Sequence, residues 1–125
     1  MSGPKRNIET AAVHGGHSPD PTTLSRGVPV YRTTSFVFKN AEHAAKLFGL
    51  KEFGNIYTRL GNPTNEILEA RVTELEGGAA SVAAASGTAA IFNTIVTIAK
   101  AGDEIISAPN LYGGTYTMFD AILPD

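Results

Sequence analysis

The sequence predicts an α/β fold, in which an extended N-terminal arm leads into the start of a parallel sheet flanked by helices. Three observations carry that expectation. Gly and Pro punctuate the first thirty residues, so the opening stretch reads as an arm with turns. Beyond Gly61, capped helical stripes alternate with short runs of strand length. The connections between them are short, as in a right-handed βαβ unit.

The arm is expected to cover residues 1–61, and residues 62–125 the beginning of the sheet domain. Within the arm, Pro4, Gly15, Gly16, Pro19, Pro21, Gly27 and Pro29 mark turns, and Val30–Phe38 alternates loosely enough for a short strand. Asn40 is an N-cap for a helix bearing Ala41, Ala44, Ala45 and Phe48 and ending near Gly49. Asn62-Pro63 is a cap followed by proline at the first helical position, where its missing N–H is not needed. Leu68, Val72 and Leu75 form the apolar stripe of that helix, which stops at Gly77-Gly78. Ser81–Ala85 is a strand-length run. Gly87 opens the next helix, with Ile91, Ile95 and Ile98 in one stripe up to Gly102. Glu104–Ser107 reads as a second strand, Pro109–Gly114 as a loop, and Thr115–Leu123 as a third helix. Two parallel strands leave both sheet edges bare, so the chain is expected to be a piece of something larger.

Composition narrows the chemistry. The chain has 125 residues, the size of one domain, and 42% of them are hydrophobic, enough for a core. Charged residues are 18%, below the roughly 25% of soluble domains, which suits a chain that hides surface against something else. The formal charge of -2 offers no electrostatic footprint for nucleic acid or an anionic membrane. With no cysteine, disulfides, Cys-based zinc sites, iron–sulfur clusters and Cys nucleophiles are excluded. No signal peptide is read at the N-terminus, and Ala89–Ala101 is too short and polar to span a bilayer, so a cytoplasmic protein is expected.

Three short motifs carry candidate chemistry. Ser86-Gly87-Thr88 sits where a strand turns into a helix, and free N–H groups and the helix dipole favour an anion there. Its plain alternative is a strand–helix turn with Ser86 as N-cap. Tyr112, before Gly113-Gly114, belongs at the carboxyl edge of the sheet, where its ring could lie on a planar ligand or simply cover the core. Tyr57-Thr58-Arg59 sets a phenol and a guanidinium on either side of a Thr, a grip for phosphate or else a solvated Arg. His14 and His17 lie close together, but without Cys the pair is a poor metal site, and no metal is expected. His43 has no partner visible in the sequence.

In this order, Tyr57-Thr58-Arg59-Leu60-Gly61-Asn62-Pro63-Thr64, Leu75-Glu76-Gly77-Gly78, Ser86-Gly87-Thr88-Ala89-Ala90 and Leu111-Tyr112-Gly113-Gly114-Thr115 resemble one family. It is the Cys/Met-metabolism family of pyridoxal-phosphate enzymes, of fold type I, and the resemblance runs from about Ile8 to the end. Ala41–Ala45 and Leu50–Ile56 are most similar to its O-acetylhomoserine sulfhydrylase branch. The resemblance implies pyridoxal 5'-phosphate as cofactor and a homo-oligomer, a dimer of dimers in the complete protein. Ser86, Gly87 and Thr88 would hold the phosphate, and Tyr112 would stack on the ring and handle substrate protons as a catalytic residue. Tyr57 and Arg59 would reach the neighbouring subunit's phosphate. The implied reaction joins O-acetyl-L-homoserine and sulfide or a thiol, giving homocysteine or methionine and acetate.

Two departures qualify the resemblance. Thr88 stands where many relatives carry Met, although the contact expected there is made by the main chain. The five lysines, Lys5, Lys39, Lys46, Lys51 and Lys100, include none in the family's Ser-x-Thr context. The Schiff-base lysine is therefore absent from this chain, and the chain alone is expected to be inactive. The alternatives are a non-catalytic truncated paralogue that joins full-length subunits, a cystathionine synthase or lyase or methionine γ-lyase relative, and, last, a nucleotide-binding βαβ module.

Overall fold

The computed structural model describes residues 6–124, and its backbone divides into a unit ending at Val82 and a unit beginning at Ala83.

The first unit holds three helices, α1 (Ile8–His14), α2 (Ala41–Phe48) and α3 (Pro63–Glu76). The opening stretch, expected as an extended arm with turns, contains helix α1, which docks on α3. Its single buried side chain is Ala11, and Arg6 donates to both carboxylate oxygens of Glu74 at 3.1 and 2.9 Å. Gly16 closes the corner in the left-handed region, at φ +66°, with the Arg71 backbone directly against it. The Arg71 Nε–H donates to the Gly15 carbonyl at 2.9 Å.

The cap residues of α2 and α3 stand where they were expected. Asn40 Oδ1 accepts from the His43 N–H at 2.8 Å, and Asn62 Oδ1 accepts from the Thr64 N–H at 2.9 Å with Pro63 at the first helical position. Leu47 anchors α2, being 2% exposed, and α3 ends on Gly77 at φ 65°. The stripe of α3 is helical, yet Leu68 is 56% exposed because nothing in its unit covers that face.

In the second unit, α4 (Gly87–Ile98) opens at Gly87 as expected but ends at Ile98, short of Gly102. The Lys100 N–H donates to Asp103 Oδ2 at 2.8 Å, which closes a turn there instead. The third expected helix begins two residues early as α5 (Gly113–Thr117) and relaxes into a π-helical turn over Met118–Ile122. Thr115 and Met118 are buried and form the small core of this unit.

No strand occurs among the described residues, so the expected sheet start has no counterpart as a formed sheet. Residues 81–84 and 103–108 belong to no helix or strand, and Ile106 is fully exposed. A strand requires a ladder of N–H and C=O bonds to a neighbouring strand, and no such ladder is formed among the described residues. Val30–Phe38 likewise forms only one isolated antiparallel bridge, Ser35 with Tyr57.

Candidate functional site

The candidate residues fall into two groups, one in each unit. In the first, Tyr57 and Arg59 flank Thr58 in the turn before α3. The Leu60 and Gly61 N–H groups both donate to the Tyr57 carbonyl, which folds the chain tightly at this point. Tyr57 is 38% exposed, and the Arg59 guanidinium lies over its ring, 5.7 Å from the centroid. A cation stacked on an aromatic face keeps its N–H edge free for an oxyanion.

In the second group, Ser86 caps α4, its Oγ accepting from the Ala89 N–H at 3.1 Å. That leaves the Ser86 hydroxyl proton and the N–H groups of Gly87 and Thr88 facing outward from the helix start. A methyl group built on Gly87 would meet nothing within 4 Å, so the approach to these donors is open. Tyr112 leads into α5 and is 80% exposed. Gly114 ties it to the helix start: a methyl group there would lie 3.3 Å from the Tyr112 ring and 4.0 Å from the Thr88 hydroxyl. An open helix start and an uncovered aromatic ring therefore share one place, and α4 and α5 touch. These donors and this ring fit a phosphate ester on a flat heteroaromatic ring.

The histidines go elsewhere. His17 Nε2 donates to the Arg26 carbonyl at 3.0 Å, while His14 ends α1. His43 gains partners hidden in the sequence, accepting from the Lys39 N–H at Nδ1 and facing Glu52 Oε1 at 3.6 Å from Nε2. Among the described residues no group of three or more His, Asp or Glu is placed to hold a metal. None of the described helices is long and apolar enough to cross a membrane.

Known proteins similar to this chain show its family. The profile of the family described as Cys/Met metabolism PLP-dependent enzyme matches residues 9–125. The chain belongs to this family. It is 60% identical over 116 residues to O-acetyl-L-homoserine sulfhydrylase 1 of Thermus thermophilus, covering 93% of this chain and 28% of that protein. It is 58% identical over 116 residues to the O-acetyl-L-homoserine sulfhydrylase of Leptospira meyeri, covering 93% of this chain and 26% of that protein. Among solved structures it superposes with a TM-score of 0.88 and 42% identity on a Campylobacter jejuni protein described as O-acetylhomoserine (thiol)-lyase, over 93% of this chain and 28% of that one. That crystal structure carries a pyridoxyl-lysine monophosphate residue. The chain thus spans about a quarter of the length of the curated relatives it matches.

Sequence reasoning passed over Thr58 and Asn62. In the sequence Thr58 is only the residue that Tyr57 and Arg59 flank, and Asn62 is only a cap. The signal was an amide where any oxygen acceptor caps a helix.

Proposed function

We propose that this chain is the N-terminal part of a cytoplasmic, homo-oligomeric pyridoxal-phosphate enzyme that makes homocysteine and acetate from O-acetyl-L-homoserine and sulfide. The observation that carries the reading is the pairing of an open helix start at Gly87-Thr88 with the uncovered ring of Tyr112, in a chain 60% identical to a sulfhydrylase. The bound cofactor supplies an electron sink for carbanions next to the substrate amine.

Each residue has a task set by its chemistry. The N–H groups of Gly87 and Thr88 bind the phosphate, and the Ser86 and Thr88 hydroxyls add donors to it. The Tyr112 ring holds the pyridine plane, and its hydroxyl takes and returns a proton at the substrate amine. Tyr57 and Arg59 grip the phosphate of a neighbouring subunit, Arg59 through its forked N–H groups. Together they fix the reacting atoms in place, the share of catalysis that positioning and electrostatics supply.

The domain division at residues 61 and 62 belongs to the same reading. The arm completes a neighbour's site, and the runs 81–84 and 103–108 pair as parallel strands within the complete domain. None of the five lysines has the Ser-x-Thr setting, so the lysine that anchors the cofactor lies outside this sequence and the 125-residue chain is inactive by itself.

The test is a product assay on the protein expressed from its complete gene, loaded with pyridoxal phosphate and supplied with O-acetyl-L-homoserine and sulfide. Homocysteine and acetate in equal amounts are expected. Cofactor binding without homocysteine would move the protein to a different branch of the family. A protein that binds no cofactor would overturn the enzyme reading and favour a paralogue that joins active subunits.

A further inference from the structure

Resting on the assignment of Tyr57 and Arg59 to a phosphate, we infer that Thr58 and Asn62 are positioning residues that lock these two side chains in the receiving conformation. Exposure alternates along Tyr57-Thr58-Arg59. Tyr57 and Arg59 are exposed, whereas Thr58 between them is half-buried and bonded at every polar atom except its carbonyl. Its N–H donates to the Thr34 carbonyl at 2.9 Å, and its hydroxyl donates to the Thr33 carbonyl. The same hydroxyl accepts from Asn62 Nδ2 at 3.2 Å.

Asn62 is 4% exposed and uses both ends of its amide. The Oδ1 atom caps α3, a task that Ser, Thr or Asp performs as well. The Nδ2 group does something no such residue can do, donating to Thr58 Oγ1 and, at 3.0 Å, to the Tyr31 carbonyl. Thr64 completes the lock from the first turn of α3. Its hydroxyl accepts from the Tyr31 N–H at 2.9 Å and donates to the Pro29 carbonyl at 3.1 Å.

The arm segment 29–36, the turn 57–61 and the start of α3 therefore form one hydrogen-bonded corner. Buried polar groups that are fully paired rigidify what they join, and an unpaired member is costly. Tyr57 and Arg59 leave this corner outward. A long cationic side chain on a fixed backbone loses less freedom on meeting its anion than one on a mobile loop.

A double-mutant cycle on the complete holoenzyme separates positioning from general support. Thr58→Val removes the hydroxyl at nearly constant shape, Thr58→Ser keeps it, and Arg59→Ala removes the group through which it acts. The readout is the dissociation constant for pyridoxal phosphate. Thr58→Val is expected to weaken binding about tenfold, the worth of one to two lost hydrogen bonds. Thr58→Ser is expected to restore it, and Thr58→Val is expected to add nothing in the Arg59→Ala background. If Thr58→Val does not fold, Asn62→Asp takes its place in the cycle, since it keeps the cap and loses both donors. Wild-type affinity in the variant, or full additivity with Arg59→Ala, overturns the inference while leaving the proposed function intact. An Arg59→Ala holoenzyme that binds pyridoxal phosphate as tightly as the wild type overturns the phosphate assignment, and the inference falls with it.

Discussion

The Arg59 guanidinium stands 5.7 Å from the centre of the Tyr57 ring, two residues away along a turn that bends both side chains to one side. The ring holds the charge by its face and leaves the forked N–H groups for an oxyanion. Charge-assisted bonds of this kind are worth roughly 1.5–3 kcal/mol each. Arg59→Ala in every subunit is therefore expected to weaken pyridoxal-phosphate retention by at least about tenfold. Arg59→Lys should recover only part of it, because a point charge makes neither the fork nor the same stack. Equilibrium dialysis of the apoenzyme variants measures both effects.

Gly87→Ala separates fold from function. The added methyl meets nothing within 4 Å in this unit, and Gly87 is not in the left-handed region. Ala also favours helix over Gly by up to about 1 kcal/mol. Thermal unfolding should thus show stability unchanged or slightly raised. The same methyl stands where a phosphate would approach the first N–H groups, so cofactor affinity should fall. A variant that is destabilised yet binds the cofactor normally would contradict this assignment.

Gly16→Ala should act in the opposite sense, on fold alone. The position combines φ +66° with the Arg71 backbone nitrogen 2.5 Å from where the methyl would sit. Left-handed strain and overpacking together cost about 2–4 kcal/mol. Hydrogen exchange of the Ala11 and Gly15 amides should accelerate as α1 leaves α3. Unchanged protection would mean that the α1–α3 corner is not held by this close approach.

Asp20 gives the arm a pH dependence. The Thr23 N–H and then the Thr23 hydroxyl hold its carboxyl below its ordinary value of 3.8, with smaller help from the Thr22 N–H and the Tyr31 hydroxyl. A carboxyl lowered by folding contributes order above its unfolded value and loses it as pH falls through the folded one. The turn from Asp20 to Ser25 should therefore stay formed at neutral pH and loosen only below 3.8. The Thr23 amide resonance, followed by NMR during acidification, reports this directly. A shift of that resonance centred above 3.8 would contradict it.

The helices were legible where end signals are local. Asn40, Asn62-Pro63, Ser86-Gly87 and Gly77 each act within one turn, so their side chains announce what the backbone does. Helix α1 was hidden because Asn7 makes no side-chain cap bond and Gly15-Gly16 read as turn punctuation. What stabilises it lies far along the chain, in Glu74 and Arg71. The runs beginning at Ser81 and Asp103 have strand composition, but a strand depends on neighbours remote in sequence, and no strand is formed among the described residues. The candidate site residues were legible as motifs, whereas the corner behind Tyr57 and Arg59 was not. Its bonds join Tyr31 and Thr33 to Asn62 and Thr58, and two of the three residue types involved are among the commonest surface residues.

The most direct test of the whole account is the intact mass of the protein from its native source after borohydride reduction, which fixes pyridoxal phosphate to its lysine. A polypeptide well above 13.1 kDa that carries one covalent cofactor per chain is expected. An unmodified species of 13.1 kDa would contradict it, and the chain would then be a partial site in search of a partner.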